Sequence, residues 1–164
     1  MPDMLVKLYD LPELGPVMED MKNKGIVIRR GLGPEKNAVA KWAQEHFSEY
    51  WKSECEVAFS RQPVTCFIAA AEIPGSNKSK MLGFACYDST LRGFFGPTGV
   101  SEETRGQGVG KALLLASLHA MKEEGYGYAV IGAAGPVDFY AKQVGAIEIP
   151  DSVPGVYRGL LANS

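Results

Sequence analysis

Apolar positions recur along the chain with two periods, near two and near 3.6 residues, and the changes between them mark out its elements. Leu5-Val6-Lys7-Leu8-Tyr9 alternates weakly, as a strand would, and Leu14, Val17, Met18 and Met21 then fall at helical spacing between Pro12 and Gly25. Ile26–Arg30 reads as a strand. Pro34 suits the first position of a helix whose apolar stripe is Val39, Trp42, Ala43, His46, Phe47 and Tyr50. Its place in that stripe makes His46 a packed residue rather than a catalytic one. A second short helix is predicted over Lys52–Phe59, closed by Pro63.

Three strands follow. Val64–Ala71 is apolar almost throughout, as suits a strand covered on both faces. Turn residues at Pro74-Gly75-Ser76-Asn77 separate it from Met81–Tyr87, and Asp88–Gly93 leads into Phe94–Val100. That third strand contains Gly96-Pro97, which removes a ladder donor and weakens pairing, so a bulge or break is expected there. A long helix over Gly108–Glu124 carries Leu113, Leu114, Ser117, Leu118 and Met121 on one side, with Gly125 as its cap. Tyr128–Ile131 is the next strand, a helix runs through Phe139 and Tyr140 to Gly145, and Ala146–Ile149 and Val156–Leu161 read as closing strands. Helices and strands interleave without strict alternation, which predicts a mixed-sheet α/β or α+β domain rather than a parallel doubly wound one. Residues 1–25 read as an N-terminal extension, a strand plus a short helix, on a main domain of residues 26–164.

Bulk properties narrow the function. A chain of 164 residues fits one domain and can bury a core without disulfides or a metal. A formal charge of −2 lacks the basic surplus that nucleic acid or an anionic membrane would select. Cys55, Cys66 and Cys86 have no C-x-x-C spacing and only two histidines for company, so neither a zinc site nor a disulfide framework is expected. Reduced thiols, no leader-like start at Met1-Pro2-Asp3-Met4 and no apolar run near the ~20 residues of a membrane helix lead to the expectation of a cytoplasmic protein.

The chemistry-bearing run is Val100-Ser101-Glu102-Glu103-Thr104-Arg105-Gly106-Gln107-Gly108-Val109-Gly110-Lys111, between a strand and a helix. Glycines at alternate positions let the backbone turn tightly and approach a ligand, and the helix start offers unpaired amides at the positive end of its dipole. That combination suits a phosphate or pyrophosphate. A Walker A loop is excluded because Arg105 and Ala112 stand where glycine and Ser/Thr are needed. A dinucleotide G-x-G-x-x-G starting at Gly106 fails at Lys111.

Arg105-Gly106-Gln107-Gly108-Val109-Gly110 fits the Q/R-x-x-G-x-G/A signature of the GNAT N-acetyltransferases at every specified position. Gly135-Pro136-Val137-Asp138-Phe139-Tyr140 resembles that family's second signature helix, and the order of elements from about Ile26 to Leu161 is similar to the family's. The resemblance implies a mixed, mostly antiparallel sheet with flanking helices and a splayed pair of central strands. It implies acetyl-CoA as co-substrate and no metal. The coenzyme's pyrophosphate would lie on Arg105, Gly106, Gln107, Gly108, Val109, Gly110 and Lys111, and its pantetheine arm on Thr98, Gly99 and Val100. The Val100 N–H would polarise the thioester carbonyl, and Tyr140 would protonate the leaving sulfur. The family reaches glycine four residues past that tyrosine, whereas here Gly145 stands five beyond, so the helix end is expected to be shifted or bulged.

The acceptor implied is a small-molecule or peptide amine, and a homodimer is allowed. Trp51, Phe59, Arg61 and Tyr87 are candidates for its pocket, each reading equally well as packing, and Glu54 is a candidate beside them. Glu54, Glu56 and Asp88 are the carboxylates that could sit near the acceptor as general base. A non-catalytic acyl-CoA sensor of the same fold is the alternative.

Overall fold

The computed structural model describes residues 1–163. Its strands are β1 (Met4–Lys7), β2 (Ile26–Arg30), β3 (Cys66–Glu72), β4 (Ser79–Tyr87), β5 (Phe94–Val100), β6 (Tyr128–Ile131) and β7 (Ile147–Glu148). The helices are α1 (Gly15–Asn23), α2 (Lys36–His46), α3 (Glu49–Phe59), α4 (Val109–Glu123) and α5 (Val137–Val144). One seven-stranded sheet runs β2-β3-β4-β5-β6-β1-β7. Every pairing is antiparallel except β5 with β6, near the middle.

Apolar patterning explains why the sheet is covered on both faces. One face is capped by α4, whose Leu113, Leu114, Leu115, Leu118 and Met121 are fully buried against Ala85, Tyr87, Phe95 and Ile131. The other is capped by α2 and α3, where Val39, Ala43, Cys55 and Ala58 meet Cys66, Ile68, Phe84 and Cys86. All three cysteines are buried and free.

Local chemistry sets the boundaries. Ser48 caps α3 by accepting from the Trp51 amide at 3.2 Å, so this helix begins at Glu49, before the expected Lys52. Pro34 opens a short 3-10 turn, and α2 proper begins at Lys36. His46 is not packed as expected: it is exposed and stacks on Trp42 with ring centroids 3.9 Å apart.

Residues 1–25 supply a strand and a short helix, and the strand lies inside the sheet. β1 pairs along its length with β6 and then with β7, while α1 packs on α4. The expected closing strand over Val156–Leu161 does not form. Gly155–Tyr157 is a 3-10 turn, and β1 occupies the place beside β6 that a C-terminal strand could otherwise take. Among the described residues no helix is long and apolar enough to cross a membrane.

Candidate active site

The bulge expected at Gly96-Pro97 is present. Ala85 faces Thr98 and Tyr87 faces Phe95, leaving Cys86 opposite both Gly96 and Pro97. Gly96 reaches φ +124, a conformation that glycine adopts without a Cβ penalty. Past the bulge β5 stays with β4 but leaves β6, because the parallel pairing is confined to Phe94–Val130 and Phe95–Ile131.

The register decides what the splayed edge offers. The Ser101 amide donates to Leu82 across the β4 side, so by antiparallel alternation the amides of Thr98 and Val100 point the other way, towards the opening. A Cβ on Gly99 would lie 2.4 Å from the Phe47 ring, so glycine lets α2 close down over this edge.

At the mouth of the opening stands the glycine loop. Gly106 and Gly108 take φ +84 and +85, which aims the chain into α4 with Gly108 as its N-cap. The Arg105 amide is used, donating to Glu102 at 3.3 Å. The amides from Gly106 to Lys111 have no acceptor among the described residues, and the next amide, Ala112, bonds back to Gly108 at 3.0 Å. Lys24 braces the loop from outside, donating to the Gln107 carbonyl at 2.8 Å and to Asp20 at 3.1 Å.

These pieces enclose a cleft of about 540 Å³. Of the expected coenzyme residues, Thr98, Gly99, Val100, Arg105, Gly106, Gly108, Val109, Gly110 and Lys111 line it, whereas Gln107 turns its carbonyl to Lys24 and is not part of the wall. Phe47, Leu114, Gly135, Pro136, Phe139 and Gln143 also line it and were not singled out as site residues from sequence. Phe47 was legible only as one member of an apolar stripe, but Gly135-Pro136 had a signal in the turn preceding the last helix.

Tyr140 lines the same cleft, 5% exposed, with its ring 6.5 Å from Phe95 and 5.2 Å from Phe139. Burial pushes its phenol up to about 12. The delayed glycine is accommodated simply. Gly145 caps α5 at φ +66, with its amide bonded to Ala141, and Ala146 donates back to the Tyr140 carbonyl.

Where the strands rejoin, a smaller chamber of about 110 Å³ continues the cleft, sharing Thr98, Gly135 and Tyr140 with it. Trp51 lines this chamber, while Glu54, one helical turn further along α3, accepts a hydrogen bond from Thr90. Burial raises the Glu54 carboxyl, and the Thr90 hydroxyl partly offsets that. The turn over Gly132–Ala134 is held by the chain's N-terminal end. Asp3 accepts from the Ala133 amide at 2.8 Å, Pro2 from Ala134 at 2.7 Å, and a side chain at Gly132 would collide with the Tyr157 hydroxyl. Ala133 takes φ +46, an uncommon conformation for a residue with a Cβ, next to the chamber.

Other acceptor candidates lie elsewhere. Tyr87 is fully buried under α4, on the opposite face from Trp51, bonded by Arg30 at 2.8 Å and donating to Glu124. Phe59 packs beneath Gly31 at the far end of α3, and Arg61 donates to the Asp88 carbonyl. Strand alternation separates Tyr87 from the site, because its neighbour Cys86 already faces α3. Among the carboxylates, Asp88 is occupied by the Gly93 amide and the Tyr126 hydroxyl, and Glu56 by Lys52.

Residues 36–146 match the profile of the Acetyltransferase (GNAT) family. The chain belongs to the GNAT acetyltransferase family. Solved structures agree on the fold. A GCN5-related glucosamine N-acetyltransferase region of a fungal multidomain β-N-acetylglucosaminidase aligns with TM-score 0.71 at 15% identity, over 90% of this chain and 19% of that one. A GCN5-related N-acetyltransferase from Sphaerobacter thermophilus aligns with TM-score 0.67 at 19% identity, over 90% of this chain and 48% of its own. A Drosophila protein gives TM-score 0.63 at 12% identity, with 47% of its length covered. This GNAT chain thus spans less than half of each of these three solved chains. No match was found among curated proteins.

Proposed function

We propose that this GNAT protein is a cytoplasmic N-acetyltransferase that moves the acetyl group of acetyl-CoA to a primary amine on a small molecule or peptide, by direct attack. One observation carries the reading: a run of free amides from Gly106 to Lys111 stands at the mouth of a cleft opened by the bulged β5. Consecutive unpaired amides at a helix start suit a diphosphate, and a splayed strand edge suits an amide-bearing arm added like a strand.

In this reading Thr98, Gly99 and Val100 bind the pantetheine arm, and the Val100 amide polarises the thioester carbonyl. Tyr140 donates its proton to the departing sulfur. A phenol held near 12 by burial is protonated at every pH where such an enzyme works. An alkylamine of pKa ~10.4 gives a proton to solvent water before it attacks the thioester carbon, and collapse of the tetrahedral adduct breaks the C–S bond as the sulfur takes the Tyr140 proton. Trp51 and Glu54 flank the acceptor, and the Glu54 carboxylate draws the cationic amine towards the chamber.

Calorimetric titration with coenzyme A, with ATP as control, tests the binding half, and thiol release from acetyl-CoA in the presence of pooled amines tests the transfer. Coenzyme A is expected to bind and ATP not to compete, with amine-dependent thiol release. Absence of coenzyme A binding overturns the proposal; binding with no release for any amine makes the protein a sensor.

A further inference from the structure

The chamber at the vertex of the splay bears on which acyl groups the site can take, and this inference rests on the functional reading above. An arm lying along β5 from the glycine loop runs towards the vertex, where Phe95 rejoins Ile131. Whatever the arm carries at its tip arrives in the chamber of about 110 Å³. At ~30 Å³ per carbon-sized group, that space holds three or four heavy atoms.

Phe95 and Ile131 close the chamber at the vertex and Tyr140 borders it from α5, while Gly96, Pro97, Gly132, Ala133 and Ala134 add backbone and small side chains. Trp51 alone comes from α3, and it is not free to swing aside. Its ring lies 4.5 Å from Phe47 and 6.0 Å from the fully buried Phe84, and its amide is fixed by the Ser48 cap. A wall packed on both sides resists enlargement, because a close-packed cluster does not deform continuously.

We infer that Trp51 sets the acyl-length limit of this site, admitting acyl groups of two or three carbons and rejecting medium chains. Each methylene that finds a place in an apolar chamber adds about fourfold in affinity, and each that does not forfeits this and forces the wall outward.

Titration of coenzyme A and of acetyl-, butyryl-, hexanoyl- and octanoyl-CoA into the unmodified protein, Trp51→Phe and Trp51→Ala decides the matter without any acceptor. The unmodified protein is expected to bind octanoyl-CoA at least tenfold more weakly than acetyl-CoA. Trp51→Ala should abolish that gap, and Trp51→Phe, which keeps an aromatic against Phe47, should narrow it for hexanoyl-CoA. Equal affinity for acetyl- and octanoyl-CoA in the unmodified protein overturns the inference. So does a gap that both variants leave unchanged while still binding coenzyme A. If no form binds coenzyme A at all, the functional reading itself falls with it.

Discussion

Tyr140 combines two properties that rarely coincide at a surface: it is almost wholly buried, yet it lines a cleft and its hydroxyl has no hydrogen-bond partner among the described residues. Tyr140→Phe should therefore lower kcat by about a hundredfold, the lower end of what a positioned acid contributes, while leaving coenzyme A affinity within about twofold. Single-turnover kinetics alongside calorimetry would check both halves. The same burial has a pH consequence. Because the folded protein holds this phenol above its unfolded value, the associated stability is complete below pH 10 and is lost as pH rises towards 12. Alkaline denaturation of Tyr140→Phe should be less steep over that range. Gly106 makes a complementary test: at φ +84 a β-branched side chain is strained, so Gly106→Val should weaken coenzyme A binding at least tenfold with little change in the apolar core. The loop was readable in the sequence because its chemistry is backbone chemistry, and glycine spacing reports backbone directly. Tyr87, open in the sequence between lining and packing, could not be assigned for the converse reason: one step along a strand reverses a side chain's face, and composition near a turn does not say which face a tyrosine takes.

At the level of elements, the bulge and the splay depend on how closely β4, β5 and α4 can approach. A Cβ on Gly83 would meet the Gly99 carbonyl at 2.8 Å and Leu113 at 3.3 Å. The obstruction is backbone, which cannot rotate away, so Gly83→Ala should destabilise the fold by about 1–3 kcal/mol and narrow the cleft. Denaturant unfolding, with coenzyme A titration on the same sample, would show both effects. Sequence periodicity located every helix and the first six strands, since each has an apolar face of its own. Ends set by a single cap, such as Ser48, came out a few residues off. The short β7 was found approximately, and the strand over Val156–Leu161 was not realised. Exposed apolar residues there, Val156, Leu160 and Leu161, mimic a strand pattern, but the place beside β6 is already held by β1.

Across the whole molecule, the family match begins at residue 36, yet the sheet is not complete without residues 4–7. Removing residues 1–7 should leave β6 and β7 without their shared partner and withdraw Met4 and Val6, both fully buried, from the core. The truncated protein is expected to aggregate or lose cooperative thermal unfolding, as circular dichroism and size-exclusion chromatography would report. That placement was not legible in the sequence. A four-residue strand carries no mark of its partner, and pairing across most of the chain is decided by which edge stays vacant.

Asp3 meets Ala133 across a separation of 130 residues. At a synthesis rate of ≈ 5–20 residues per second, the first strand emerges from the ribosome roughly 6–25 s before its partner exists. Through that interval its apolar side chains must remain unpaired in the nascent chain, and the turn bordering the acyl chamber stays without its clasp. Maturation of the cleft is thus tied to the moment when the first strand and the segment around residue 133 find each other.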